Sequence, residues 1–115
     1  MVIQQGDVYW VDLGEPKGRP VAYRHPCVVV QGNPFNQSHI RTVVVCAITS
    51  NVKRAVMPDS ILLKKGEAGL SKDSVVLVSQ LYTADRSFLS EQIGTLNADR
   101  MNEIIQGIKT VLDAE

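Results

Sequence analysis

The residues best suited to chemistry stand where an apolar run turns polar. Thr42-Val43-Val44-Val45-Cys46-Ala47-Ile48-Thr49 is nearly continuous in apolar residues and gives way to Thr49-Ser50-Asn51. That is the pattern of a central strand covered on both faces that surfaces at one end, where hydroxyl and amide groups can donate to a ligand. Basic residues are concentrated around this run. From Glu15 to Lys65, the cations Lys17, Arg19, Arg24, Arg41, Lys53, Arg54, Lys64 and Lys65 are opposed only by Glu15 and Asp59, and the balance reverses after Gly66. A chain of zero formal net charge can therefore carry a groove that attracts phosphate, although the same charges scattered over the surface would simply be solvated.

Metal and thiol chemistry are poorly supported. Cys27 and Cys46 sit beside valines in strand-like runs and read as small buried hydrophobes rather than a disulfide framework. The only histidines are His25 and His39, with no CxxC or HxxxH spacing from which to assemble four zinc ligands. No metal or other cofactor is expected.

The elements that must position these residues are mostly strands. Asp7 to Leu13 is rich in β-branched and aromatic residues, and Cys27 to Gln31 forms a second run. Between them, Gly14 to Pro26 contains two glycines and three prolines and reads as a long surface loop. Gly32-Asn33-Pro34 opens another loop that runs to about Arg41. Further strands are expected at Ser60 to Leu63, Ser74 to Leu81 and Gln92 to Leu96, with a short helical turn at Arg86 to Ser90 that Asp85 can cap. The C-terminal segment changes period. Met101, Ile104, Ile105, Ile108, Val111 and Leu112 follow the i, i+3, i+4, i+7 rule of an amphipathic helix. Asn97 is a good N-cap, Asp99 suits the positive end of the helix dipole, and Leu96 with Met101 can form a hydrophobic staple.

These elements predict a mainly β fold with a C-terminal α-helix, a small bent barrel with the helix packed against it. At 115 residues the chain has the length of one domain, 1–115. Its 44% hydrophobic and 21% charged content is that of a globular protein rather than a disordered one. No apolar run is long enough to span a membrane and the N-terminus lacks the marks of a signal peptide, so a cytoplasmic protein is expected.

At this point the sequence resembles the MazF/PemK (also called Kid) toxins of bacterial toxin–antitoxin systems. The likeness rests on Gly6-Asp7-Val8-Tyr9-Trp10-Val11-Asp12-Leu13, His25-Pro26-Cys27-Val28-Val29-Val30-Gln31 and Ala47-Ile48-Thr49-Ser50. It continues through Gly69-Leu70-Ser71-Lys72-Asp73-Ser74-Val75-Val76-Leu77, Gln80 and Ile93-Gly94-Thr95-Leu96, in the family's order and at about its spacing. The resemblance implies an SH3-like barrel, a homodimer, metal-independent cleavage of single-stranded RNA at specific sequences, and inhibition by a cognate antitoxin.

It also implies a catalytic pair, an arginine just before the proline that opens the second strand and a threonine at the end of the third. Thr49 matches. At the other position the chain reads Tyr23-Arg24-His25-Pro26, so His25 adjoins the proline and Arg24 stands one residue earlier. Arg24, read as a loop residue whose long stem reaches the groove, is expected to supply the positive charge, and His25 to share the work as a general acid or base. A histidine that merely binds loop backbone is the plainer alternative.

Ser50 is expected to donate beside Thr49, Ser74 and Gln80 match positions near the substrate, and Phe35 and Asn36 are placed to stack on or read an unpaired base. The chief rival is a non-enzymatic, gyrase-binding toxin of the same fold, and an inactive nucleic-acid-binding barrel is a third reading.

Overall fold

The computed structural model describes residues 2–13, 24–56 and 60–115. Six strands form one antiparallel sheet in the order β4-β5-β3-β2-β1-β6. The strands are β1 (Asp7–Asp12), β2 (Arg24–Val29), β3 (Thr42–Thr49), β4 (Ile61–Leu63), β5 (Ser74–Asp85) and β6 (Leu89–Thr95). A single helical turn, α1 (Asn33–Asn36), lies between β2 and β3, and α2 (Ala98–Val111) closes the chain. Among the described residues no helix is long and apolar enough to cross a membrane.

Both faces of the sheet are covered, which explains why its central strands are apolar without alternation. On one face Val8, Val28, Cys46, Ile48, Val76 and Val78 pack with Met101 and Ile104 of α2. On the other, Tyr9, Val11, Cys27, Val29, Val43 and Val45 pack with Ala84 and Leu89, from either side of the turn joining β5 to β6. The sheet curls into a half-barrel.

The curl is tightened at two places. Between Cys46 and Ile48 of β3 the partner strand runs from Leu81 to Val76, so residues 77–80 of β5 stand opposite Ala47 alone. Such a bulge bends and re-aims a strand. The second place is a seam between the 3₁₀ turn Glu67–Gly69 and β6. A Cβ on Gly94 would collide with the backbone of Ala68, and one on Gly69 with the carbonyl of Ile93. Only glycine permits this approach, and Gly69 also has a φ of +75°, unfavourable for other residues.

Helix α2 begins as expected. Asn97 accepts a hydrogen bond from the Arg100 amide at 2.9 Å, and Leu96 and Met101 are buried together. Asp85 caps the 3₁₀ turn Arg86–Phe88 by accepting from the Ser87 amide at 2.9 Å.

Other boundaries differ from the sequence reading. β2 starts at Arg24, not Cys27, and pairs Asp12 with Arg24, Val11 with His25 and Trp10 with Pro26. Pro26 suggested a loop, but β3 pairs with β2 only from Cys27 onward, so the missing proline N–H breaks no ladder there. β5 continues to Asp85 because the bulge interrupts its apolar pattern without ending the strand. The remainder of the first expected loop, residues 14–23, lies outside the described residues.

Candidate active site

Thr49 ends β3, and the chain turns at once. The Thr49 hydroxyl oxygen accepts from the Asn51 amide at 3.1 Å, the Asn51 side-chain carbonyl from the Lys53 amide at 3.3 Å, and the Asn51 backbone carbonyl from the Arg54 amide at 3.1 Å. Thr, Ser and Asn favour such local turns. This one leads from the strand end into the 3₁₀ turn Val52–Val56. Because the Thr49 oxygen accepts from the backbone, its own proton is left to donate elsewhere.

Thr49 borders a cleft of about 460 Å³. Trp10, His25 and Pro26 bring β1 and β2 to it, Ile48, Thr49 and Ser50 bring the end of β3, and Leu70, Lys72 and Ser74 line the side leading into β5. A smaller adjoining recess is lined by His25, Ile48, Thr49, Arg54, Gln80 and Tyr82, among others. His25, Ile48 and Thr49 thus form a ridge common to both hollows. No carboxylate lines either of them among the described residues.

The expected site residues separate into two groups. Thr49, His25, Ser50 and Ser74 meet at the cleft, and Gln80 joins at the recess because the bulge of β5 carries it there. Ser74 is buried and donates to the Lys72 carbonyl at 2.9 Å, so its oxygen remains available to accept. Gln80 accepts from the Tyr82 hydroxyl at 3.3 Å.

Arg24 is not brought to Thr49. It lies within β2 rather than in a loop, and successive strand residues face opposite ways, so Arg24 and His25 diverge. The Arg24 guanidinium lies over the Trp10 ring, 5.3 Å from its centroid, and donates to the Ser90 hydroxyl at 3.1 Å. Ser90 in turn donates to the Trp10 carbonyl at 3.2 Å. Arg24 lines a different depression, with Asp12, Phe88 and Glu91.

Phe35 and Asn36 are also elsewhere. They belong to α1, between the end of β2 and the start of β3, roughly 20–25 Å along the strand from Thr49 at about 3.3 Å per residue. Asn36 is buried and its amide is committed. Its nitrogen donates to the Gln31 carbonyl and to Asn33 Oδ1, and its oxygen accepts from Gln31 Nε2. This network holds the loop together and leaves no edge for a base. Phe35 is exposed at that far end.

The geometry adds Lys72, Arg54 and the wall formed by Trp10. Arg54 stood out in the sequence only as one cation among eight. The Thr49-Ser50-Asn51 turn that folds it back was the signal that could have singled it out. No group of three or more His, Cys, Asp or Glu among the described residues is placed to hold a metal ion.

Fold and site together define a class of small antiparallel half-barrels, closed by a C-terminal helix, with a cleft of hydroxyl, imidazole and cationic groups at the end of the central strands. Residues 4–112 match the family model of the PemK-like, MazF-like toxin of type II toxin-antitoxin systems, and the chain belongs to that family. It is 39% identical over 113 residues to Endoribonuclease MazF6 of Mycobacterium tuberculosis and to Endoribonuclease MazF2 of Mycobacterium bovis, covering 98% of this chain and 99% of each relative. Among solved structures, MazE-MazF (Form-II) from Deinococcus radiodurans has a TM-score of 0.81 at 24% identity, over 100% of this chain and 99% of the other. An endoribonuclease in complex with its cognate antitoxin from Mycobacterial species has a TM-score of 0.76 at 21% identity, over 99% of this chain and 96% of the other. These structures share the fold.

Proposed function

We propose that this chain is a toxin that acts in the cytoplasm as a sequence-specific endoribonuclease, cutting single-stranded RNA without a metal and restrained by a cognate antitoxin. One observation carries the site assignment: His25 and Thr49 stand on one ridge between two hollows that no carboxylate lines among the described residues. A polyanionic strand laid across that ridge meets an imidazole and a hydroxyl donor.

In this reading the His25 imidazole takes the proton of a ribose 2′-hydroxyl, and O2′ bonds to the adjacent phosphorus as the P–O5′ bond breaks. The leaving 5′-oxygen gains a proton from solvent. The products are a 2′,3′-cyclic phosphate and a 5′-hydroxyl, and no covalent enzyme intermediate forms. Thr49 donates its proton to a phosphate oxygen as negative charge grows there, a contribution strongest in the transition state. Ser50 and Ser74 hydrogen-bond the strand in the cleft and Gln80 in the recess. Arg24, stacked on the Trp10 wall, adds positive charge at the rim. The gyrase-binding alternative is not favoured, since the relatives matched along nearly their whole length are named endoribonucleases.

Purified protein incubated with a long unstructured RNA in EDTA is expected to give discrete cuts bearing cyclic phosphates. Thr49→Ala should cut about 100-fold to 1,000-fold more slowly while keeping its fold. No cutting by folded wild-type protein, or cutting by Thr49→Ala at the wild-type rate, overturns the assignment.

A further inference from the structure

We infer that Arg54 is the guanidinium that binds the scissile phosphate and stabilises its extra charge. The inference rests on the RNA-cleavage reading above and adds a catalytic residue to it. A phosphorane carries more negative charge than the phosphodiester it comes from, and a hydroxyl and an imidazole supply little positive charge to meet it. A guanidinium fork matches two phosphate oxygens at once.

The arginines of the described residues are otherwise engaged. Arg24 is held by Trp10 and Ser90. Arg41 pairs with Asp85, and Arg100 with Glu67 and Glu103. Arg86 donates to the carbonyls of Ile40 and Asn36 at 2.8 and 2.6 Å. Only the Arg54 guanidinium has no such partner among the described residues, and it lines the recess with His25, Thr49 and Gln80.

Its position is also fixed relative to the threonine. The Arg54 amide donates to the Asn51 carbonyl, and the Asn51 amide donates to the Thr49 hydroxyl. One turn therefore sets both the donor hydroxyl and the base of the arginine stem. With Thr49 on one phosphate oxygen and Arg54 across others, the growing charge is met from two directions.

The test uses the full-length protein and a short fluorescent RNA containing one mapped cut site. Cleavage rate at saturation and KM are measured for wild type, Arg54→Ala, Arg54→Lys, Arg41→Ala and Thr49→Ala, with thermal melts to check folding. Arg54→Ala is expected to lower the saturated rate about 100-fold or more, and Arg54→Lys to retain an intermediate rate because it keeps charge but loses the fork. Arg41→Ala, at the opposite end of β3 from Thr49 and paired with Asp85, should stay within about 3-fold of wild type at saturation. A saturated rate for Arg54→Ala within about 3-fold of wild type, or an effect confined to KM, overturns the assignment. Failure of wild type to cut, or full activity of Thr49→Ala, overturns the ribonuclease site itself, and is distinguishable because both results are read without any Arg54 variant.

Discussion

Side chains in this protein are defined by what their polar atoms already do. The Thr49 oxygen accepts from Asn51, so its proton remains to be given; the Asn36 amide is fully used, so nothing remains for a base. Cys27 and Cys46 are the extreme case. Both are buried, one on each face of the sheet, and burial pushes each thiol up to about 12, with mutual repulsion adding a smaller part for Cys46. The Cys46 thiol also donates to the Leu77 carbonyl. At pH 8 both therefore stay in the thiol form, and the thiolate is the reactive one. Neither cysteine should react with a thiol reagent in the native protein, whereas both should label promptly once it is unfolded. Fast labelling of the folded protein would contradict this. Their burial was legible from the surrounding valines. The divergence of Arg24 and His25 was not, because it depends on whether the residues before Pro26 pair with β1.

At the scale of elements, an ion pair joins the Glu67–Gly69 turn to the helix. Arg100 of α2 places two nitrogens on the Glu67 carboxylate, at 2.8 and 3.0 Å, and the Lys64 amide adds a bond of 2.7 Å. The Arg100 bonds first, and the Lys64 amide second, lower the pKa of Glu67 below its ordinary 4.5. A carboxylate with a lowered folded-state pKa contributes stability above its unfolded pKa and loses it as pH falls through the folded value. The wild type should therefore lose about 1 kcal/mol more stability than Glu67→Gln on acidification below about pH 4.5, a figure that allows for partial exposure of the pair. Denaturant melts of both proteins from pH 6 to pH 3 check this, and parallel curves would count against it. The helix itself was readable, from a strong period and a good cap. Its docking through a turn 33 residues away was not, since charge pairing across the fold leaves no local pattern.

For the whole molecule, the uneven charge and the exposed apolar residues point outward. Phe35, Ile40, Phe88 and Leu112 are exposed, and Trp10 is partly so. Large apolar groups at a surface mark interaction sites when they gather in patches, and symmetric dimers are the commonest oligomers. Light scattering at micromolar concentration should give twice the 12.6 kDa of the chain; a monomer would remove the dimer.

The sequence by itself determined the class of fold, the burial of the cysteines, the capped C-terminal helix and Thr49 as the polar end of a covered strand. Each of these follows from local propensity or from a hydrophobic period, which neighbouring residues express directly. Tertiary structure decided which cation stands beside Thr49. Strand register turned Arg24 toward Trp10, the bulge in β5 carried Gln80 into the recess, and the Asn51 turn folded Arg54 back toward the strand end. Those placements depend on pairing between strands far apart in the chain, and side-chain direction reverses with each residue of a strand.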